Sequence, residues 1–267
     1  MRDDGARLFV KIGGSTLGSH DTTIADLVAL QQDGFTPIVI HGGGKTITDW
    51  LGKHGVPTRF VRGLRVTDPE SLKIAVAVLA GLVNKELVAR INSLGGRAIG
   101  FCGADGLLIE ARVRDPELGL VGDVVRFNLD LVRAVIDAGY MPVIAPLGLE
   151  EAHNGTTGQV RSLLNINADS VAGAMAAALG GGRLVFLTDV EGILDKGGSL
   201  VPSLDEAKAQ ELIADGVISG GMLPKVEACL CGLAGVKSAC IIDGRKSHAL
   251  LEDVSKGAAS GTRFERF

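Results

Sequence analysis

The chain has 267 residues, a formal net charge of −4 and no run of lysines and arginines, so it lacks the basic footprint of a nucleic-acid binder. Hydrophobic residues make up 46% and aromatics only 4%, and a core of Ala, Val, Leu and Ile suits parallel strands covered by helices better than an aromatic-rich sandwich. The start Met1-Arg2-Asp3-Asp4 reads as too polar for a signal peptide and no apolar run approaches the ~20 residues of a membrane span, so a cytoplasmic chain with no membrane partner is expected.

In chain order the pattern is strand, glycine turn, helix, repeated. Residues 8–12 read as a strand ending in Gly13-Gly14, and 24–32 as a helix. Residues 37–40 are a short buried strand ending in His41-Gly42-Gly43-Gly44, followed by a helix over 46–54. A single long helix is expected over 70–94 and a strand over 98–101. Residues 107–113 and 120–127 alternate enough for a β-ribbon with a Pro/Gly turn between them. A helix over 129–138 and a strand over 142–145 follow, then a polar, glycine-rich hairpin or loop over 150–160. The almost wholly apolar helix at 168–179 implies burial on most sides, and Gly180-Gly181-Gly182 ends it as the candidate domain junction, dividing 1–180 from 181–267. Beyond it, 184–187 is a strand, 195–199 a turn, 204–215 and 223–234 helices, 239–242 a strand and 248–252 a short helix. The expected fold is α/β: a doubly wound, mainly parallel central sheet with helices on both faces, whose ligands bind outside the carboxyl ends of the strands.

The two glycine clusters stand at such strand ends. Turns of this kind bring backbone N–H groups close to an oxyanion, and a helix N-terminus adds partial positive charge. They point to a phosphate or carboxylate cradle, with packing turns as the plainer alternative. Gly44-Lys45-Thr46 is no P-loop, because Val39 stands where that pattern needs glycine; the dinucleotide fingerprint fails at Ile47. Lys11 lies inside an apolar strand and is either snorkelling or aimed into a cleft. Lys225 follows Gly220-Gly221-Met222-Leu223-Pro224 at a helix start, where the dipole disfavours a cation. Asn165-Ile166-Asn167-Ala168-Asp169 precedes the apolar helix; Asn167 or Asp169 caps it, and one cap does not require three polar side chains. Arg65 is a fork for a substrate carboxylate or an ordinary surface arginine, and His41 positions the glycine turn or merely caps its strand. Cys102, Cys229, Cys231 and Cys240 lack CxxC spacing and are expected to be small buried residues.

Together these residues resemble the amino acid kinase family, over nearly the whole chain from about Leu8 to Thr262. The likeness rests on KIGG (11–14), HGGG (41–44), GLRVTD (63–68), LVNKELV (82–88), NINAD (165–169), LTDVEGIL (187–194) and GGMLPKVEA (220–228). KIGG and the TDV segment are shared across the family. GLRVTD, NINAD and the Asn-Lys pair are more specific to its branch that phosphorylates the side-chain carboxylate of N-acetylglutamate in arginine biosynthesis. The resemblance implies a three-layer sandwich, with acceptor binding and dimerisation in the first lobe and ATP in the second. It implies that Lys11 and Lys225 stabilise the phosphoryl group in transit while Asp169 orients them. Gly43, Gly44, Arg65, Asn165 and Asn167 would hold the acceptor. Gly13, Gly14, Asp189, Val190, Glu191, Gly192, Ile193 and Leu194 would hold the nucleotide. It also implies Mg²⁺ with ATP and a homodimer with the 70–94 helix at its interface. Only ten residues precede Lys11, so an extra N-terminal helix carried by arginine-inhibited relatives is missing and strong arginine inhibition is not expected. The ending Arg263-Phe264-Glu265-Arg266-Phe267 has no counterpart in this reading.

The chemistry agrees. A carboxylate acceptor has a reference pKa near 4.3 and needs no general base, so no catalytic triad or carboxylate pair is required. The reaction needs two anions held in line with their charge neutralised, which two lysines, backbone N–H groups and Mg²⁺ supply. The rivals are a sibling kinase for another small acid and a binding or sensor module on the same scaffold. The Asn154-Gly155-Thr156 sequon has no role in a cytoplasmic chain.

Overall fold

The computed structural model describes residues 6–13, 22–152, 161–256 and 261–265. The sequon at 154–156, most of the 150–160 loop and Gly14 lie outside them.

The strands in chain order are β1 (Arg7–Ile12), β2 (Thr36–His41), β3 (Phe60–Val61), β4 (Leu64–Arg65), β5 (Ala98–Cys102), β6 (Ile109–Val113), β7 (Val121–Phe127), β8 (Met141–Ala145), β9 (Leu147–Glu150), β10 (Leu163–Ile166), β11 (Arg183–Thr188), β12 (Ser203–Leu204), β13 (Ser238–Asp243) and β14 (Gly261–Glu265). Eight form one sheet in the order β12-β14-β13-β11-β1-β2-β8-β5. Six neighbouring strands, from β13 to β5, run parallel. Such strands are buried on both faces, which is why they read as unbroken apolar runs. Their side chains alternate. Leu8, Val10 and Ile12 enter one core layer and Phe9 the other.

The helices are α1 (Thr23–Gln32), α2 (Gly44–Lys53), α3 (Pro69–Val76), α4 (Asn84–Ser93), α5 (Asp130–Asp137), α6 (Ala168–Leu179), α7 (Glu206–Ala214), α8 (Leu223–Gly232) and α9 (Ala249–Lys256). Leu27 of α1, Leu87 of α4 and Leu250 of α9 pack in one layer. Val132 of α5, Val171 of α6, Leu212 of α7 and Val226 of α8 pack in the other, giving helices on both faces as expected. Beside the sheet, β10, β7, β6 and β9 close into a small barrel that contains the expected ribbon as the antiparallel β6–β7 pair. The hairpin β3–β4 stands apart.

Two expectations are corrected, and one segment without an expectation finds its place. The 70–94 segment is continuous but not one regular helix, because Ala77–Val83 between α3 and α4 winds as a π-helix. The buried positions explain it: they run Ile74, Ala75, Val78, Leu79, then skip five to Asn84 before Leu87 and Ile91. One wider turn lets both halves face the same core. Cys231 is exposed, while Cys102, Cys229 and Cys240 are buried as expected. The described part of the ending, Arg263 to Glu265, belongs to β14, antiparallel to β13, with Phe264 fully buried and Arg263 on Asp253 at 3.3 Å.

The packing of α6 on α8 sets up the site. A Cβ on Gly173 would lie 2.4 Å from the Ala228 carbonyl, so only glycine permits this approach. About one turn earlier on the two helices stand Asp169 and Lys225.

Candidate active site

Because β1, β2 and β11 are parallel, their carboxyl ends share one edge of the sheet. There Ile12 gives way to Gly13, His41 to Gly42, and Thr188 to Asp189. A cavity of about 210 Å³ opens at this edge, bordered by Lys11, Gly42–Gly44, Arg65, Asn165, Asn167 and Asp169. The structure therefore brings together eight of the residues singled out in the sequence, from four separate segments.

Asp169 is the hub. Its Oδ1 lies 2.7 Å from Lys11 Nζ and its Oδ2 2.8 Å from Lys225 Nζ. Its side chain and that of Lys11 are buried, and that of Lys225 is one-fifth exposed. Burial pushes the Asp169 carboxyl upward, but the two ammonium groups outweigh it and hold the group below its ordinary range. Burial lowers Lys11, with Lys225 adding to the effect, while Asp169 holds the proton on. The net charge of the cluster is +1, and Lys11 borders the cavity together with the glycine turn. Lys225 near a helix start is no longer a local conflict, because the carboxylate meets its charge.

Asn167 caps α6, accepting from the N–H groups of Asp169 and Ser170 at 2.8 and 3.1 Å. This settles the cap in favour of Asn167, which also borders the cavity, and frees Asp169 for the lysines. Gly43 caps α2 without a side chain, so the first N–H groups of that helix have no intrahelical partner. Asn165 donates from Nδ2 to Thr67 Oγ1 at 3.2 Å. Arg65 donates from Nη2 to the Gly44 carbonyl at 2.9 Å and to Thr48 Oγ1 at 2.7 Å, and lies over the Phe60 ring at 4.9 Å. Partial burial moves its guanidinium below its ordinary value. It is a held fork at the cavity rim, not a free surface arginine.

The expected nucleotide residues other than Gly14, which lies outside the described residues, occupy the same sheet edge but not this cavity. Gly13 donates its N–H to the Leu187 carbonyl at 3.3 Å. Asp189 is close enough to Lys11 to favour the ammonium. Val190, Glu191 and Leu194 are exposed, and Glu191 pairs with Lys246 at 3.1 Å. Gly192 has φ of 151°, and a Cβ there would lie 2.7 Å from Leu200. Ile193 is buried in the core, with its N–H given to Thr262 Oγ1 at 2.8 Å, so its side chain faces away from solvent. A second hollow of about 350 Å³, bordered by Asn167, Ser170, Gly220, Gly221 and Pro224, adjoins the first through Asn167.

Thr48, which holds Arg65, escaped the sequence reading: a lone threonine on an amphipathic helix carries no signal. Lys246 escaped for the same reason. Asn84 and Lys85 did carry one, a polar pair inside an apolar run, yet only the fold shows what they touch.

The model of the amino acid kinase family matches residues 6–243. The chain is 45% identical to an acetylglutamate kinase of Dehalococcoides mccartyi over 253 residues, covering 95% of this chain and 92% of the relative. It is 44% identical to an acetylglutamate kinase of Synechococcus elongatus, covering 97% and 86%. Among solved structures, a Streptococcus mutans protein superposes with a TM-score of 0.83 at 27% identity, covering 98% and 99% of the two chains.

Proposed function

The chain belongs to the amino acid kinase family, and from that premise we propose that it transfers the γ-phosphoryl group of ATP to the side-chain carboxylate of N-acetyl-L-glutamate, a step of arginine biosynthesis. The observation that carries this reading is one buried carboxylate holding two lysines beside a glycine turn, with Arg65 and Asn165 in the same cavity. The names of its relatives support the acceptor.

The acceptor carboxylate is ionised at neutral pH and attacks without a base. Lys11 and Lys225 meet the charge spread over the transferred phosphoryl oxygens. Asp169 is a positioning residue: it keeps both ammonium groups protonated and apart. The Gly43 and Gly44 N–H groups face the anion, Arg65 forks onto the acceptor's remaining carboxylate, and Asn165 and Asn167 hold its polar groups. The strand-end segment from Asp189 to Leu194, with Gly13 and Gly14, takes the nucleotide. The division of labour follows the glycine run at 180–182: residues 1–180 bind acceptor and 181–267 bind ATP, with Gly13 and Gly14 reaching the nucleotide from the first lobe.

The donor set fits Mg²⁺ that arrives on ATP. Both Asp169 oxygens are engaged by lysines, and among the described residues no three His, Cys, Asp or Glu side chains cluster as a cage. Brought in by ATP, Mg²⁺ would supply charge neutralisation on the nucleotide phosphates.

Assembly as a homodimer is part of the reading. Leu82 on the π-helix and Ile99 on the edge strand β5 are exposed, an apolar margin that a second copy would cover. No helix among the described residues is long and apolar enough to cross a membrane; a cytoplasmic enzyme with small-molecule partners is part of the proposal.

A coupled ADP-release assay with Mg²⁺ and ATP tests the reading against N-acetylglutamate, glutamate, aspartate, N-acetylaspartate, UMP and carbamate. Selective turnover of N-acetylglutamate is expected. Selective turnover of another acid overturns the acceptor assignment, and binding without turnover overturns the kinase assignment.

A further inference from the structure

Asn84 and Lys85 have no part in the scheme above, yet they make a closed hydrogen-bond chain to the glycine turn. Asn84 is fully buried. Its amide nitrogen lies 3.1 Å from His41 Nε2 and 2.9 Å from the Val143 carbonyl. Its amide oxygen accepts from Lys85 Nζ at 3.0 Å, and Lys85 also donates to the Gly100 carbonyl at 2.6 Å. The amide therefore has one possible orientation: a lysine must face its oxygen and a carbonyl must face its nitrogen. A Cβ on Gly100 would lie 2.0 Å from Asn84 Oδ1, so the neighbouring strand carries glycine where the amide sits.

That orientation decides the state of His41. Because Asn84 donates to Nε2, that nitrogen carries the lone pair, and the ring proton sits on Nδ1. Nδ1 lies 3.0 Å from the Gly42 carbonyl. Gly42 is thus held at both polar groups, since its N–H donates to the Ile12 carbonyl at 3.0 Å. In a trans peptide the C=O and N–H point opposite ways. Clamping the Gly42 carbonyl therefore aims the Gly43 N–H away from the buried ring, and Gly43 borders the cavity.

We propose that Asn84 and His41 are positioning residues: Asn84 locks His41 as the neutral Nδ1–H tautomer, and that proton fixes the peptide that presents the Gly43 N–H to the anion. Its functional half rests on the phosphotransfer reading; the tautomer and the peptide orientation do not. Burial is the main reason the ring stays neutral, at a pKa of about 4. The charged groups that bear on it are Lys11 from β1 and Lys85 from α4, and both oppose an imidazolium.

Long-range ¹H–¹⁵N NMR on the intact wild-type chain reads the ring directly. A neutral Nδ1–H ring is expected from about pH 5 to 8; an Nε2–H ring or an imidazolium in that range overturns the proposal. Asn84→Asp places an acceptor opposite Nε2, so the ring is expected to take up a proton. The kcat–pH profile should then gain an inflection at the new ring pKa, and the Gly43 amide resonance should move. A protonated ring with the Gly43 resonance and the profile both unchanged overturns the relay. If Asn84→Asp does not fold, the His41 pair decides. His41→Asn keeps a donor for the Gly42 carbonyl and should keep most of kcat, whereas His41→Leu should lose about a hundredfold, the scale of a ~1 Å misplacement. Equal kcat in the two overturns it. Because the ring and Gly43 resonances need no substrate, a chain that turns over no acceptor but shows both effects sinks the kinase reading and leaves the locked peptide standing.

Discussion

Asp169 and Asp253 are the same residue type at nearly the same burial, 4% and 1% exposed. Asp169 stands at the start of α6, on the edge of a cavity, with two lysine ammonium groups on its two oxygens. Asp253 stands in α9 under the sheet. Arg263 of β14 lies 3.3 Å from its Oδ1, the Cys240 thiol donates to its Oδ2, and Arg183 donates to its backbone carbonyl. Their carboxyls move in opposite directions. At Asp169 two cations overcome desolvation; at Asp253 desolvation prevails over Arg263 and raises the group. The pH signs follow. The stabilisation from Asp169 is present above the ordinary value of 3.8 and is lost as pH falls through the depressed one. Ionised Asp253 opposes folding, an effect absent below 3.8 and complete once pH has risen through the raised value. Burial of a charge alone does not mark a reaction centre. In the proposed reading, an excess of cations beside a cavity does.

The comparison breaks most visibly at the lysines. Lys11→Ala or Lys225→Ala should lower kcat by about 10²–10³-fold, the scale for removing one transition-state charge contact. Thermal unfolding should shift far less, because Asp169 keeps the other lysine. Turnover near wild type in both variants would remove the cluster from the mechanism.

A third buried ionisable group sharpens the contrast between function and fold. His41 is held at about 4 against an ordinary 6.5, chiefly by burial. The unfolded chain binds a proton that the folded chain refuses, so stability is whole above the unfolded value and falls as pH drops from 6.5 toward 4. Once pH has fallen to the folded value of about 4, this should have withdrawn about 3 kcal/mol. Urea unfolding of wild type and His41→Asn at neutral pH and near pH 4 checks this; an equal pH dependence in the two chains would show that His41 does not carry it.

The smallest effect is expected at the other aspartate. Asp253→Asn retains an oxygen for Arg263 while removing a buried charge, two changes of opposite sign, so stability should shift by no more than about 1 kcal/mol. Its kcat should equal wild type. A large loss of kcat with intact folding would erase the distinction drawn between the two sites.

Much of this molecule was legible in its residue pattern. The apolar strand over 8–12, glycines at strand ends and an apolar helix over 168–179 state the layer architecture, because parallel strands and their cover must hide both faces. Lys11 stood out as a charge inside an apolar strand, and Lys225 as a cation at the wrong end of a helix. Other features depend on neighbours far away in the chain. That Asn167 caps α6 and leaves Asp169 to two lysines, that Arg65 is held by Thr48, and that β14 covers β13 are all facts of distant contact. The wider π turn is set by which residues the core accepts, and local periodicity cannot announce it. His41 is the sharpest case. The sequence by itself determined that a histidine precedes the glycine turn. Only the tertiary structure decided its proton, because a tautomer is set by whichever group faces each ring nitrogen, and here that group is an amide 43 positions away in sequence.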